Sequence, residues 1–165
     1  MLILGLDPGS SSTGYGVVDS RSGRLRVVTF GTISPPRNLP FLQRLPHIAR
    51  ALEELLVRVR PDAAAAEDIF MARNSRVALK LGHVRGAALL PLLTAGIPVH
   101  EYPARLVKKT VTGYGAAEKE QVRRMVGILL GVRTDELALD ASDALAVAIC
   151  HAHSSVPLRH AVARG

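Results

Sequence analysis

The hydrophobic positions fall into two rhythms. Residues 2–7 form a short apolar run that ends on an acid, Asp7, as a buried strand would. Gly5, Gly9, Gly14 and Gly16 cluster around it and predict a tight turn after it. Residues 14–19 and 25–33 are β-rich and are joined by the polar stretch 19–24. That predicts a hairpin with a slightly long loop and a three-stranded antiparallel meander. The rhythm then changes. Leu45, Ile48, Ala49, Leu52, Leu55, Leu56 and Val59 recur at helical spacing, with Pro61 as the stop and Pro46 assigned to the first turn. Residues 63–67 read AAAAE. Propensity favours a helix there, yet the position between two helices and the terminal acid argue for a strand.

Residues 75–94 predict a long helix on Val77, Leu81, Val84, Ala88 and Leu92, which Pro91 should kink or shorten. A strand at 97–102, a short helix at 104–111, a helix at 117–130 closed by Gly131, a loop at 133–139 and a last helix at 140–152 complete the chain. The expected class is α/β: a mixed five-stranded sheet with helices on its faces. One domain spans 1–153, and 154–165 is a polar, basic tail and a candidate for disorder.

Composition narrows the class. The 165 residues are 48% apolar, enough for a real core. A single cysteine, Cys150, excludes an internal disulfide. No run approaches the ~18 apolar residues of a membrane span and no leader is visible, so the expected setting is the cytoplasm without a membrane. Charge is more telling. Lys plus Arg number 21 against 14 acids, a net of +7. Residues 73–124 carry ten basic and three acidic residues, so the whole excess lies in the middle third. That is the electrostatic footprint of a polyanionic partner. Aromatic residues are only 4%, with no Trp, which argues against a base-stacking platform.

Four acids stand apart from the surface charges. Asp7 and Glu67 each end an apolar strand. Asp140 and Asp143 lie three apart at the start of an otherwise apolar helix and share one face. Neighbouring parallel strands would bring Asp7 and Glu67 to one sheet edge, and a helix crossing that edge would add the other two. Four such charges repel one another unless a cation or protons intervene. Oxygen donors without a His or Cys cluster suit Mg²⁺ or Mn²⁺, and two such ions could hydrolyse a phosphodiester. A plainer reading stays open on spacing alone. In it Asp140 is an N-cap, Asp143 a solvated first-turn acid, Asp7 a turn residue and Glu67 half of a solvated pair with Asp68.

Four blocks carry a resemblance. LGLDPGSSSTGYGVV (4–18), EDIFMARNSRVALKLGHVRGAAL (67–89), RLVKKTVTGYGAAEKEQV (105–122) and DASDALAVAICHAH (140–153) occur in order. Together they resemble the RuvC family of Holliday-junction resolvases. The resemblance implies an RNase H-like fold, a homodimer, and a Mg²⁺- or Mn²⁺-dependent endonuclease of homologous recombination and DNA repair. Such enzymes nick opposing strands of a four-way DNA junction symmetrically, leaving 5′-phosphate and 3′-hydroxyl ends, and work with the RuvA and RuvB branch-migration proteins. Asp7, Glu67, Asp140 and Asp143 match the family's four catalytic, metal-binding acids. Phe70 matches an aromatic residue near junction bases, Lys108 and Lys119 match lysines near the DNA backbone, and 74–93 matches the dimer-forming helix. The chain departs from the family in its all-alanine strand and in Pro46 and Pro91.

Arg73, Asn74, Arg76, Lys80, Lys109 and Tyr114 join Phe70, Lys108 and Lys119 as candidate DNA contacts, with Arg85, Arg123 and Arg124 counted in the same basic group. Two other readings compete. A non-catalytic basic DNA-binding module explains the charge but not the four acids. A related RNase H-like nuclease acting on RNA lacks the 70–89 block as it stands here.

Overall fold

The apolar run at the N-terminus becomes β1 (Leu2–Pro8). Ile3, Leu4 and Leu6 are fully buried, so both faces of this strand are covered and it takes the middle of a sheet. The protein is described by a computed structural model for residues 1–21, 23–68 and 74–155. β2 (Thr13–Arg21) lies antiparallel to β1 and β3 (Arg24–Ile33) antiparallel to β2. β4 (Ala63–Glu67) runs parallel to β1 on its other side, and β5 (Val99–Tyr102) parallel to β4. The strand order is β3-β2-β1-β4-β5, the expected mixed five-stranded sheet.

Helices cover both faces. α1 (Phe41–Val59) and α2 (Ser75–Thr94) pack over Leu4, Leu6, Val17 and Ala64. α3 (Ala104–Thr112), α4 (Lys119–Leu130) and α5 (Leu139–Ser154) pack over Ile3, Val18 and Ala65. The alanine strand is a strand despite its helix propensity. Ala63 to Ala66 are all buried between β1 and β5, and their small side chains let helices close in on both faces.

The tight turn expected after β1 is residues 9–12, since Pro8 pairs with Thr13, but three of the glycines have another role. Gly5, Gly14 and Gly16 lie within β1 and β2, on the face that α5 covers. A Cβ at Gly5 would stand 1.9 Å from the Ala144 carbonyl oxygen, and one at Gly14 2.0 Å from that of Asp140. These strands are bare so that the α5 backbone can rest on them. α5 answers with small residues of its own, Ala141, Ser142, Ala144 and Ala148, all buried.

Several boundaries differ from expectation. The hairpin is tighter: Arg21 pairs with Arg24, because cross-strand pairing extends the ladder past the polar residues. α1 begins at Phe41, so Pro46 is inside it rather than in its first turn, where it costs one backbone hydrogen bond on a solvent-facing stretch. α2 is not shortened by Pro91 and runs on to Thr94. α4 starts at Lys119, behind a reciprocal cap between Glu118 and Gln121, and not at Ala117. α5 reaches Ser154, one residue past the expected domain limit, and the expected tail from 156 onward lies outside the described residues.

α2 bears on the expectation about apolar stretches without overturning it, since Lys80 and Arg85 interrupt the helix. It is long and apolar enough, by length and composition, to match a membrane span, with a mean hydropathy of 1.2 over its best window. Only 22% of that window is buried. Leu79, Leu90 and Leu93 face outward.

Candidate active site

Two strands and one helix build the site. β1 and β4 are parallel with Leu6 opposite Ala66, so the next residues, Asp7 and Glu67, end side by side at one sheet edge. α5 crosses that edge. Its N-cap is Ala138, so Asp140 is not the cap but sits in the first turn, with Asp143 one turn further. A carboxylate there is favoured by the helix dipole. The bare backbone at Gly14 holds the Asp140 carbonyl against β2, which fixes how far α5 reaches over the edge.

The resulting electrostatics are strained. Burial pushes the Asp7 carboxyl up to about 7, and the Asp143, Asp140 and Glu67 charges add to the rise while Lys119 opposes it. Glu67 is raised as well, by burial and by Asp143, with Lys119, Lys108 and Arg85 holding it down. Lys119 donates to Asp143 Oδ2 at 2.6 Å, and this bond raises the ammonium above its ordinary value. Near neutral pH the site therefore carries protons or lysine charge in place of full carboxylate repulsion.

The acids line two adjoining cavities. Asp7, Glu67, Asp143, Lys108 and Lys119 line one of about 180 Å³. Asp7, Glu67, Asp140, Arg85, Arg105 and Lys119 line a wider one of about 890 Å³. A larger apolar groove, about 1000 Å³ between α1 and α2, contains none of the four acids. Among the described residues no three His, Cys, Asp or Glu stand close enough together, as placed, to hold a metal ion. The donors nonetheless fit a hard divalent cation: all are carboxylate oxygens, and a lysine ammonium already balances one of them.

The remaining predicted contacts are scattered. Lys108 joins the acids in the smaller cavity. Lys109 is exposed on the same helix, and Arg76 is exposed in the first turn of α2. Lys80 leans over the Phe41 ring at 5.5 Å, so its stem and charge are partly engaged on α1. Asn74 caps α2, its side-chain oxygen accepting from the Arg76 and Val77 backbone N–H groups. Tyr114 is 65% exposed on a loop pinned by the Thr112 hydroxyl, which accepts from Tyr114 N–H and sits against Gly113 in the left-handed region. Phe70 and Arg73 lie outside the described residues.

Arg85 was read as surface charge, and it is not. Its Nη1 donates to the Glu67 carbonyl oxygen at 2.6 Å, and its Nη2 pairs with Glu101. The signal was present: Arg85 follows Leu81 by four positions and adjoins Val84, so it borders the buried stripe of α2.

Comparisons with known proteins identify the family and the fold. The family model for the crossover junction endodeoxyribonuclease RuvC matches residues 3–151. A protein of that description from Chloroflexus aurantiacus is 44% identical over 159 residues, covering 96% of this chain and 97% of its own length. One from Maricaulis maris is 51% identical over 152 residues, covering 92% and 90%. Among solved structures, T. thermophilus RuvC in complex with Holliday junction substrate superimposes with a TM-score of 0.84 at 35% identity, covering 92% of this chain and 93% of that one.

Proposed function

The chain belongs to the RuvC family of crossover junction endodeoxyribonucleases, and we propose that it resolves four-way DNA junctions by paired, symmetric nicks. The observation that carries this reading is the meeting of Asp7, Glu67, Asp140 and Asp143 at one sheet edge, with Asp7 driven toward the neutral form first by burial and then by the neighbouring acids. These four carboxylates would hold the divalent cations. Mg²⁺ or Mn²⁺ bound there would supply an activated water and charge to stabilise the leaving 3′ oxygen.

The chain's own groups do the rest. Burial of Asp7 keeps its site in demand of positive charge. Lys119 and Lys108 compensate the acids and stand where a phosphate backbone would approach them. Arg76, Lys109 and Tyr114 extend the DNA-facing surface from exposed positions. Recognition then rests on phosphate position and junction shape, so affinity falls steeply with salt.

Two sites are needed for two strands, and a two-fold dimer suits a two-fold junction. The outward row on α2, with Leu79, Leu90 and Leu93 exposed and open space at Gly82 and Gly86, supports that helix as the dimer face. The double change Leu90→Asp and Leu93→Asp is expected to give a monomer by light scattering that nicks one strand at a time. A dimer that still nicks in pairs would show that the contact lies elsewhere. Work on recombination and repair intermediates would place the protein in the cytoplasm, beside the RuvA and RuvB branch-migration proteins.

The direct test is cleavage of a labelled four-way junction with Mg²⁺, with Mn²⁺ and with EDTA, beside a linear duplex of the same sequence. Symmetric nicks on the junction alone, and only with metal, are the expected result. Metal-independent binding without nicks would overturn it and leave a basic binding module.

A further inference from the structure

We infer that Arg85 is a positioning residue for the catalytic acid Glu67, tying the end of β4 to α2 and to the edge strand β5. The inference rests on the junction-cleavage reading above.

The geometry is that of a two-sided clamp. Arg85 reaches inward from α2, and its side chain is only 12% exposed. One guanidinium nitrogen donates to the Glu67 backbone carbonyl at 2.6 Å, and the other pairs with the Glu101 carboxylate. Glu101 lies on β5 opposite Ala66, one residue before Glu67. Asp68 N–H donates to the Tyr102 carbonyl at 2.8 Å, so β5 also holds the residue after Glu67. The β1–β4 register ends at Ala66, which leaves Glu67 beyond the support of the central strand. The clamp takes over at that point.

Arginine suits this position because its planar fork offers two donors in fixed directions. A lysine offers one compact charge, which would favour the Glu101 carboxylate over a neutral carbonyl. The same bonds remove Arg85 from the DNA-facing charge, since a guanidinium committed on both sides and largely buried has little left for phosphate. A displacement of about 1 Å at a catalytic group can cost a hundredfold in rate, so a modest slackening at Glu67 has a large consequence. The anchor also places the outward-facing helix α2 in direct hydrogen-bonded contact with a catalytic residue.

The test compares Arg85→Met, Arg85→Lys and Glu101→Gln with wild type. The readouts are junction Kd and its salt slope in EDTA, the single-turnover nicking rate at saturating junction, the Mn²⁺ binding isotherm of the free protein, and the melting temperature. Arg85→Met is expected to nick about 10- to 100-fold more slowly. Its junction Kd should stay within about twofold and its salt slope should not change, while Mn²⁺ binding weakens several-fold. Arg85→Lys should share the slow rate and the unmoved Kd. Glu101→Gln, which keeps the bond to the Glu67 carbonyl, should slow nicking by less than about threefold.

A raised Kd with a salt slope smaller by about one, restored by lysine, would make Arg85 a DNA contact and overturn the inference. A lower melting temperature with normal rate and Mn²⁺ binding would reduce it to a packing residue and overturn it too. If Arg85→Met does not fold, Arg85→Lys decides: a wild-type rate overturns the inference and a slow one upholds it. Wild type nicks in the same experiment, so failure of the cleavage reading is seen separately, and the Mn²⁺ isotherm reads the position of Glu67 even then.

Discussion

Asp7→Asn is expected to abolish junction cutting and, at the same time, to raise the melting temperature of the metal-free protein. Both effects have one cause. Asp7 is buried beside three other acids, and its carboxyl is pushed from 3.8 up to about 7. At pH 8 the folded protein holds a carboxylate in a place that disfavours it, while the unfolded chain does not. Asparagine has nearly the same shape and no charge. The gain should be on the order of 2 kcal/mol, or about 5 °C for a chain of this size.

The pH dependence fixes the sign. Below pH 4 both folded and unfolded Asp7 are protonated, and the two proteins should melt alike apart from the change of group. Between pH 4 and 7 only the folded state keeps the proton. The metal-free wild type therefore loses stability as pH rises through about 7, and the advantage of Asp7→Asn grows to its full size above that pH. Mn²⁺ should stabilise wild type more at pH 8 than at pH 6, because it replaces the proton, and should hardly stabilise the variant. Cutting should fall at least about a thousandfold, with junction binding in EDTA retained. A variant that melts earlier than wild type at pH 8 would refute the account of Asp7 as a strained acid, and one that cuts normally would remove it from the site.

The second large effect is expected at Gly14, which carries no chemistry. A methyl group there would lie 2.0 Å from the Asp140 carbonyl oxygen and 2.4 Å from its carbon. Both are backbone atoms at the head of α5, so no rotamer change relieves the collision. The helix must move off the sheet, and Asp140 and Asp143 move with it. Gly14→Ala should cost about 3 kcal/mol and 6–12 °C in melting temperature. Nicking by the folded fraction should fall about a hundredfold. Gly16→Ala is the comparison: its nearest neighbours are the side-chain Cγ and Cδ2 of buried Leu145 at 2.5 Å, with the Leu145 backbone N farther off at 3.1 Å, so the collision falls mainly on a side chain and the loss should be smaller. Equal and slight effects at both positions would show that α5 is not seated by the bare strands.

Much of this site was legible from the chain alone, for reasons that are local. A strand such as β1 announces itself because all its apolar residues are consecutive, and an acid at its end is conspicuous for breaking that pattern. Asp140 and Asp143 were readable as a pair because helical spacing puts i and i+3 on one face. The all-alanine β4 was resolved against its propensity by its place between two helices. The hairpin at 19–24 and the start of α1 were misplaced. There the ends are set by cross-strand pairing and by a helix that tolerates Pro46, and neither is visible in local preference.

Sequence alone therefore determined the order of the elements, the mixed sheet and the family, and it singled out the four acids as candidates. Each of these is encoded by spacing within one segment or by motifs that survive as words. Only the tertiary structure decided what Gly14 and Arg85 are for. The first is defined by the Asp140 backbone that its missing side chain would strike, and the second by the Glu67 carbonyl and Glu101 carboxylate that it bridges. The raised Asp7 carboxyl belongs to the same class: its cause is burial and three charges delivered by other elements, which a linear pattern does not hold.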